Sequence, residues 1–295
     1  MKKICNFVFV IVFIIGCNET PPIIDFSEKN SDLLDTTYIV SPIPSSVSTM
    51  IFVEDLTGVR CSNCPKAAEK IKEIKVANPG NVVAIGAYPG TLKNFMDPWP
   101  GFQILNTTEA DNIFVSVYGS PSAIPTGGVN RKVFPGETTK YVSYNKWSGY
   151  SDIIKSQNSP LKLQCELVDF DTTSRKARIR VKAIFTKFFM ESLNLTVYLS
   201  EDEIISKQLM PDGKALDTYI HNHVLRKSVT PFNGITLKIN PQTSGNYEAG
   251  RTFDREFETE LSPSWKKDKC SFVILINRFD ADSKEIIQAE ELEIR

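Results

Sequence analysis

The chain has 295 residues, with 34 Lys and Arg against 35 Asp and Glu and a formal net charge of -1. This balance excludes the strongly basic surface that a nucleic-acid-binding protein needs, so we expect no nucleic acid as a partner. Hydrophobic residues make up 41% of the sequence, which is enough for two domains with ordinary cores.

The N-terminus has the features of a bacterial lipoprotein signal peptide over residues 1–16. Two lysines precede an unbroken apolar run over residues 7–15, and the run ends at Gly16 and Cys17. It is too short to span a bilayer as a mature helix, which needs about 20 residues. We therefore predict cleavage before Cys17 and acylation of its thiol, which gives an exported, lipid-anchored protein. The alternative is an ordinary signal peptide that contains a cysteine.

Residues 17–45 are rich in Pro, Ser, Asp and Thr and show no sustained apolar period, which predicts a tether. Beyond the tether the exported part keeps four cysteines, Cys61, Cys64, Cys165 and Cys270. An even number of cysteines in an oxidising compartment permits two disulfides.

Residues 46–157 alternate between strand and helix patterns. A strand begins at Met50, a helix with small and apolar residues at helical spacing covers 65–77, and an apolar strand covers 81–88. Three further elements are expected, in this order: a helix within 107–118, a strand after Ile124 and a closing helix over 140–156. This order predicts an α/β domain.

From residue 160 onward the sequence changes to short strands. Apolar and polar residues alternate over 161–168, 177–185 and 193–199, and further strand patterns follow up to 292. Several short alternating strands over residues 160–295 predict an all-β, antiparallel sandwich of immunoglobulin-like type.

Cys61 and Cys64 stand where the first helix follows the first strand. The helix N-terminus and the neighbouring Arg60 both favour a thiolate at Cys61, and a spacing of three brings the second sulfur within disulfide reach. The alternatives are a structural disulfide or half of a zinc site. Zinc is poorly supported, because residues 46–157 contain no histidine and no second Cys-x-x-Cys pair. We expect no cofactor.

Two segments carry a family resemblance. Phe52-Val-Glu-Asp-Leu-Thr-Gly-Val-Arg-Cys-Ser-Asn-Cys-Pro65 resembles a thioredoxin-fold active-site segment, and Ala123-Ile-Pro-Thr-Gly-Gly-Val129 resembles the loop in which a cis-proline faces the cysteines. Together with Asn130-Arg131 and His221-Asn-His-Val-Leu-Arg226, they are similar to the twenty-eight-kilodalton outer-membrane lipoprotein family. That resemblance implies an α/β thioredoxin-like domain over residues 46–157, the β-sandwich domain after it, and an outer-membrane location.

The resemblance also implies roles for individual residues. Cys61 is expected to be the attacking thiol, Cys64 the resolving thiol and Pro125 the cis-proline. Asp55 is expected to be a buried acid for proton transfer, although strand alternation points only one of Glu54 and Asp55 inward. The sequence departs from the thioredoxin pattern at Arg60 and at Ser62-Asn63, which leaves the direction of electron flow open.

The second half of the chain offers two further candidate pairs. Cys165 and Cys270 lie in an early and a late strand, which makes a structural disulfide plausible, with two separate buried thiols as the alternative. His221 and His223 could face the same way and hold a metal, but such pairs are more often structural, so we expect no metal site.

Two functions fit these patterns best, and a third, surface capture of a peptide or glycan, stays open. The first is a thiol–disulfide oxidoreductase that acts on thiols or disulfides of extracytoplasmic proteins. The second is a non-catalytic surface binding or adhesion module with a structural Cys61–Cys64 disulfide. The presence of Pro125 beside the cysteine pair favours the first, because a structural bridge does not need it.

Overall fold

A computed structural model describes residues 33–240, 243–280 and 283–294, all of which belong to one compact unit, Leu33–Arg295. The predicted signal peptide, Cys17 and the tether up to residue 32 lie outside the described residues. In the part that is described, no helix is both long enough and apolar enough to cross a membrane.

Sixteen strands are described. In chain order they are β1 (Asp35–Ile39), β2 (Ile51–Leu56), β3 (Val82–Ala87), β4 (Thr126–Val129), β5 (Leu161–Asp171), β6 (Lys176–Phe185), β7 (Leu193–Glu201), β8 (Ile204–Leu209), β9 (Ala215–His221), β10 (Val224–Ser228), β11 (Ile235–Thr236), β12 (Lys238–Asn240), β13 (Thr243–Ser244), β14 (Arg251–Glu260), β15 (Cys270–Arg278) and β16 (Ile286–Glu293).

The helices are few and mostly short. They are α1 (Cys64–Ala77), α2 (Lys93–Met96), α3 (Thr108–Asn112) and α4 (Trp147–Lys155), with a π-helical turn at Ile113–Val117 and 3-10 turns at Tyr144–Lys146 and Lys267–Lys269.

The main sheet has eight strands in the order β16-β15-β7-β10-β3-β2-β4, with β11 also paired to β7. Strands β2 and β3 run parallel, and β4 pairs with β2 in the antiparallel sense. Strand β10 joins the two halves of the sheet, because it pairs with β3 at Val224 opposite Gly86 and with β7 on its other side.

A second sheet has four strands in the order β1-β14-β6-β5, and β8 and β9 form a separate hairpin. The alternating strands of this sheet and of the main sheet share one core, which includes Ile179, Val181, Val197, Phe253 and Ile274. Burial of every second side chain on β6 is the physical reason that its sequence alternates.

The expected fold class, an α/β thioredoxin-like domain followed by an immunoglobulin-like sandwich, is wrong. The protein is mostly β-strands in several sheets with few helices. The three strands β2, β3 and β4 are not the sheet of a separate α/β domain, because β10 continues their sheet into β7, β15 and β16. The predicted helix over 140–156 is also shorter and begins at Trp147, since Val142 instead bridges to Gly127.

Helix α1 agrees closely with its sequence pattern. Pro65 lies in its first turn, where the missing N–H costs nothing, and Ala67, Ile71 and Ile74 are buried against the main sheet. The helix ends at Asn78, whose N–H donates to the carbonyl oxygens of Ile74 and Lys75. This packing fixes the position of Cys64 at the start of the helix.

Candidate functional site

Cys61 and Cys64 form a disulfide in the loop between β2 and α1. Cys64 is the first residue of α1, and both cysteines are only 2% exposed. The bond therefore lies at the N-terminus of the helix and is almost completely covered.

The electrostatics of this helix start favour a negative charge on sulfur. The side chain of Asn63, the residue before the helix, makes no capping hydrogen bond, and the first turn contains no acidic residue. The Cys64 N–H donates to the Cys61 carbonyl and the Lys66 N–H to the Asn63 carbonyl, so it is the positive end of the helix dipole that favours a negative charge on the cysteine segment. A thiolate formed there on reduction is stabilised.

The β8–β9 hairpin covers one side of the disulfide loop. Gln208 is 2% exposed, and its Nε2 donates hydrogen bonds to the carbonyl oxygens of Gly58 (3.2 Å) and Cys61 (3.0 Å). The Leu209 N–H donates to the Val59 carbonyl at 2.9 Å. These three bonds fasten the hairpin onto the cysteine loop.

The segment around α2 covers another side of the loop. The Arg60 N–H donates to the Phe95 carbonyl at 2.9 Å, and a Cβ at Gly58 would lie 2.7 Å from the same oxygen, so only glycine fits. The Arg60 side chain lies over the Trp99 ring at 3.8 Å and donates from Nε to the Asp97 carbonyl. The Arg60 side chain thus holds the segment around α2 against the cysteine loop, and its contacts are with that segment and not with the sulfurs.

Removal of the Gln208 amide is expected to loosen the β8–β9 hairpin from the cysteine loop and so to expose the disulfide. In Gln208→Ala the Gly58 and Cys61 carbonyls keep only their backbone donors, and the two bonds that tie the hairpin to them are lost. A loss of about 1–2 kcal/mol corresponds to roughly tenfold more of the open form. Reduction of the disulfide by a water-soluble phosphine should therefore be about tenfold faster. The rate is measured from the appearance of free thiols over time. Gln164→Ala, at an exposed position on β5, is the matched control and should leave the rate unchanged. Equal rates for all three proteins would show that the hairpin does not limit access.

A cavity of about 740 Å³ reaches the disulfide from the side of α1 and β9. Its lining includes Cys64 and Asp55 together with Tyr88 and His221, and also Tyr219 of β9. Cys61 is not among the residues that line it, so the disulfide loop borders the cavity through Cys64.

Asp55 is the buried acid of this cavity, whose lining also includes the more exposed Glu69 and Asp202. It is 3% exposed, Oδ1 has no hydrogen-bond partner among the described residues, and burial raises its pKa to about 8. Glu54 is 0% exposed as well, but it lies on the opposite face of β2, where Arg131 binds both of its carboxylate oxygens at 2.7 and 2.8 Å. Both carboxyls are therefore buried, and Asp55 is the one that lines the cavity with Cys64.

Tyr88 and His221 were not assigned to this site from the sequence. The Tyr88 hydroxyl and His221 Nδ1 are 2.9 Å apart, and burial lowers the pKa of His221 to about 4, so its ring is neutral at pH 7. His223 has a different partner, because its Nδ1 lies 3.0 Å from Asp202. The two histidines that could have shared a metal therefore point to separate groups.

Pro125 lies at the same end of β2 as the cysteine loop. Leu56 pairs with Thr126, which places Pro125 one position beyond that pair, and the Ile124–Pro125 peptide bond is cis. Two residues after Pro125, position 127 needs glycine, because a Cβ there would lie 2.0 Å from the Glu54 carbonyl oxygen. The proline loop is therefore packed directly against the strand that leads to Cys61.

The structural disulfide that we considered between Cys165 and Cys270 is not formed, and both thiols are free. Cys165 lies in β5 of the four-stranded sheet, whereas Cys270 begins β15 of the main sheet. The two residues belong to different sheets, and burial raises the pKa of each thiol, which makes both unreactive.

The family of the chain follows from its second half. A model of the family described as outer membrane protein Omp28 matches residues 111–294, which is more than half of the chain. The chain belongs to the Omp28 family. This confirms the resemblance to the twenty-eight-kilodalton outer-membrane proteins, and the family description supports an outer-membrane location. The matched range of Omp28 begins after Cys61 and Cys64, so the disulfide is not part of it.

Two solved structures resemble this Omp28 chain in fold. HBP35 of Porphyromonas gingivalis aligns with a TM-score of 0.62 and 18% identity, over 85% of this chain and 77% of that one. Protein AGR_C_4864 of Agrobacterium tumefaciens aligns with a TM-score of 0.52 and 14% identity, over 85% of this chain and 97% of that one. At these identities the similarity concerns the fold alone. A comparison with curated proteins found no match.

Proposed function

We propose that the protein is an outer-membrane thiol–disulfide oxidoreductase that acts on thiols or disulfides of extracytoplasmic proteins. One observation carries the proposal: the Cys61–Cys64 disulfide stands at an uncapped helix N-terminus, with Cys64 on the same cavity as the buried acid Asp55. A purely structural bridge needs neither a cavity nor a buried carboxyl. Reduction potential and substrate trapping test the proposal.

The reaction that this geometry supports is exchange of two electrons with a partner dithiol. A partner thiolate attacks one sulfur, a new S–S bond forms, the Cys61–Cys64 bond breaks, and the other sulfur leaves with the electron pair. The second partner thiolate then attacks the mixed disulfide, so the partner ends as a disulfide and the chain as two thiols. The reverse sequence reduces a partner disulfide.

Asp55 would supply and accept the proton of Cys64. At pH 7 a carboxyl with a pKa near 8 is mainly protonated, so it can give its proton to Cys64 when this sulfur leaves as a thiolate. In the reverse direction the Asp55 carboxylate takes the proton back. In this assignment Cys61 carries the mixed disulfide, and its thiolate is stabilised by the helix N-terminus.

The buried Asp55 predicts a pH-dependent stability. Its pKa is about 8 in the folded protein against about 3.9 in an unfolded chain, so between these values the folded state holds a proton that the unfolded state lacks. Below about pH 6.5 the lowered pKa of His221, about 4 against about 6.5 in an unfolded chain, has the opposite effect. The free energy of unfolding should therefore fall as the pH rises from about 6.5 to about 8, by up to about 1.4 kcal/mol per unit. Asp55→Asn should remove this fall, as measured by urea unfolding of the oxidised protein.

The control for this experiment is Asp152→Asn, because the Asp152 side chain is 63% exposed on α4. This variant should keep the pH dependence of the wild type. The rate of exchange with a reduced peptide should also lose its inflection near pH 8 in Asp55→Asn alone. A wild-type stability that does not change between about pH 6.5 and about pH 8 would show that Asp55 is ionised in the folded protein.

We further propose that Cys17 anchors the protein through acyl chains. The proposal rests on the order of lysines, apolar run, Gly16 and Cys17, and the outer-membrane description of the family agrees with it. Two or three chains give a durable anchor, because each buried CH₂ contributes about 0.8 kcal/mol.

The second candidate function is a binding module in which the disulfide is structural. The observation in its favour is the burial of both cysteines, at 2% exposure, beneath the β8–β9 hairpin and the α2 segment. In that case the bond only ties the loop to the start of α1, and Asp55 has no proton to exchange. The two candidates differ in whether Cys61 ever forms a bond to a partner.

A further inference from the structure

A second cavity, of about 280 Å³, lies on the face of β2 opposite to Asp55, beside the Glu54–Arg131 pair. Its walls come from β7 and β15 and from residues after β4 and before β16, and they include Arg131, Asn194, Asn277 and Lys284. This cavity shares no lining residue with the cavity at the disulfide. A ligand bound here would therefore contact none of the residues that line the cavity at the disulfide.

The positively charged side chains of this cavity differ in whether a carboxylate lies beside them. Arg131 is neutralised by Glu54, and Arg278 lies beside Glu285. Lys284 has no carboxylate within 4.0 Å in the described parts of the chain, and its Nζ donates only to the Ser116 carbonyl (3.2 Å) and the Asn233 amide oxygen (3.3 Å). Burial, together with the charges of Arg131 and Lys140, lowers the pKa of Lys284. An anion in the cavity would relieve this repulsion.

The same cavity contains an acceptor without a donor. Asn194 is 4% exposed, and its Nδ2 donates to the Asn233 carbonyl at 2.6 Å. Its Oδ1 is buried and has no hydrogen-bond partner among the described residues. Buried acceptors in folded proteins nearly always have a donor, so a ligand that fits this cavity should bring a hydroxyl or an N–H as well as an anionic group.

The mouth of the cavity is aromatic. Phe232 is half-buried, with Lys284 Nζ 5.6 Å from the centre of its ring, and Phe279 is 58% exposed. Asp280 stands at the rim beside Phe279. Exposed aromatic faces pack well against the apolar C–H face of a sugar ring. The volume corresponds to roughly nine water molecules, which is the size of one monosaccharide.

We propose that this cavity binds a small hydroxylated carboxylate of the sugar-acid class, such as a hexuronate. Its carboxylate pairs with Lys284, a hydroxyl donates to Asn194 Oδ1, and the ring lies against Phe232. A free sugar acid and the end of an acidic glycan chain present the same group, and they are distinguished by experiment.

The test is titration calorimetry of the purified full chain with sodium glucuronate, glucose and sodium acetate. Glucuronate should bind at least tenfold more tightly than glucose, which lacks the charge, and than acetate, which lacks the hydroxyls. Lys284→Gln and Asn194→Ala should each weaken glucuronate binding at least tenfold. Lys155→Gln, an exposed lysine on α4, is the matched control and should bind as the wild type does.

An oligosaccharide that ends in glucuronate identifies the source. Tighter binding than free glucuronate indicates a glycan end, and weaker binding indicates the free acid; either result supports the site. Equal binding of glucose and glucuronate, no detectable glucuronate binding, or unchanged binding by folded Lys284→Gln would overturn the proposal. None of these results depends on the cysteines, so a failure here leaves the oxidoreductase proposal standing.

Discussion

Cys64→Ser protein is expected to accumulate mixed disulfides with envelope proteins, whereas Cys61→Ser accumulates far fewer. When Cys61 forms the bond to a partner and Cys64 is absent, no second thiol remains to resolve the complex. Either substitution should reduce turnover on a model disulfide to the uncatalysed rate, because two-electron exchange needs both sulfurs. The complexes are measured by acid quenching, alkylation and non-reducing electrophoresis, and the partners are identified by mass spectrometry.

Cys165→Ser is the control for the trapping experiment. Its thiol is free, and burial raises its pKa, so its removal should change neither trapping nor turnover. Because Cys64 borders the cavity, the experiment also tests whether the attacking and resolving roles of the two cysteines are the reverse of those assigned here. If Cys61→Ser traps the partners and Cys64→Ser does not, the incoming thiolate reaches Cys64, and the roles of the two cysteines are exchanged. If neither variant traps a partner, the disulfide is structural.

Arg131→Met is expected to destabilise the protein by about 3–5 kcal/mol. Arg131 and Glu54 are 4% and 0% exposed, and the guanidinium binds both carboxylate oxygens, so the single substitution leaves a charged carboxylate buried without a partner. The measurement is the free energy of unfolding in urea with the disulfide intact. The double variant Glu54→Gln with Arg131→Met should recover most of the loss, since no unpaired charge remains.

The matched control is a lysine in an exposed ion pair. Lys72 and Glu69 lie 3.4 Å apart on α1, with side chains 72% and 60% exposed, so Lys72→Met should change stability by less than about 1 kcal/mol. A loss of the same small size for Arg131→Met would mean that water reaches Glu54 in the folded protein.

The sequence predicted local elements better than their assembly. Helix α1 was predicted over 65–77 and is observed at Cys64–Ala77, because Pro65 starts it and Asn78-Pro79-Gly80 stops it. The alternation in β5, β6 and β7 also located those strands. Strand β1 was missed within the expected tether, since its side chains are mostly exposed and it is held by pairing with β14.

The error in the fold class arose from a pairing that sequence patterns do not contain. Strand β3 is wholly apolar, which predicts burial but does not say which strands lie beside it. Its contact with β10 joins Gly86 to Val224, and the two residues are far apart in the chain. That single connection turns an expected α/β sheet into one end of a longer, mostly β structure.

Only part of the candidate site could be predicted from the sequence, because some of its residues come together only through tertiary folding. Cys61, Cys64, Asp55 and Pro125 all lie in motifs that local sequence reveals. Gln208 and His221 reach the site only because the β8–β9 hairpin folds back onto the cysteine loop, so they could not be found by motif. The two histidines were noticed in the sequence, but their separate partners, Tyr88 and Asp202, depend on tertiary structure.

The reduction potential of the Cys61–Cys64 couple tests the oxidoreductase proposal most directly. The full chain is equilibrated in buffers with defined ratios of reduced to oxidised glutathione, its thiols are alkylated, and the oxidised and reduced fractions are quantified. Turnover on a model disulfide is measured in parallel. A redox-active couple is expected above about −300 mV, in the range where it exchanges electrons with partner proteins, and with measurable turnover. A potential below about −300 mV, with no turnover, would contradict the proposal and identify the disulfide as structural.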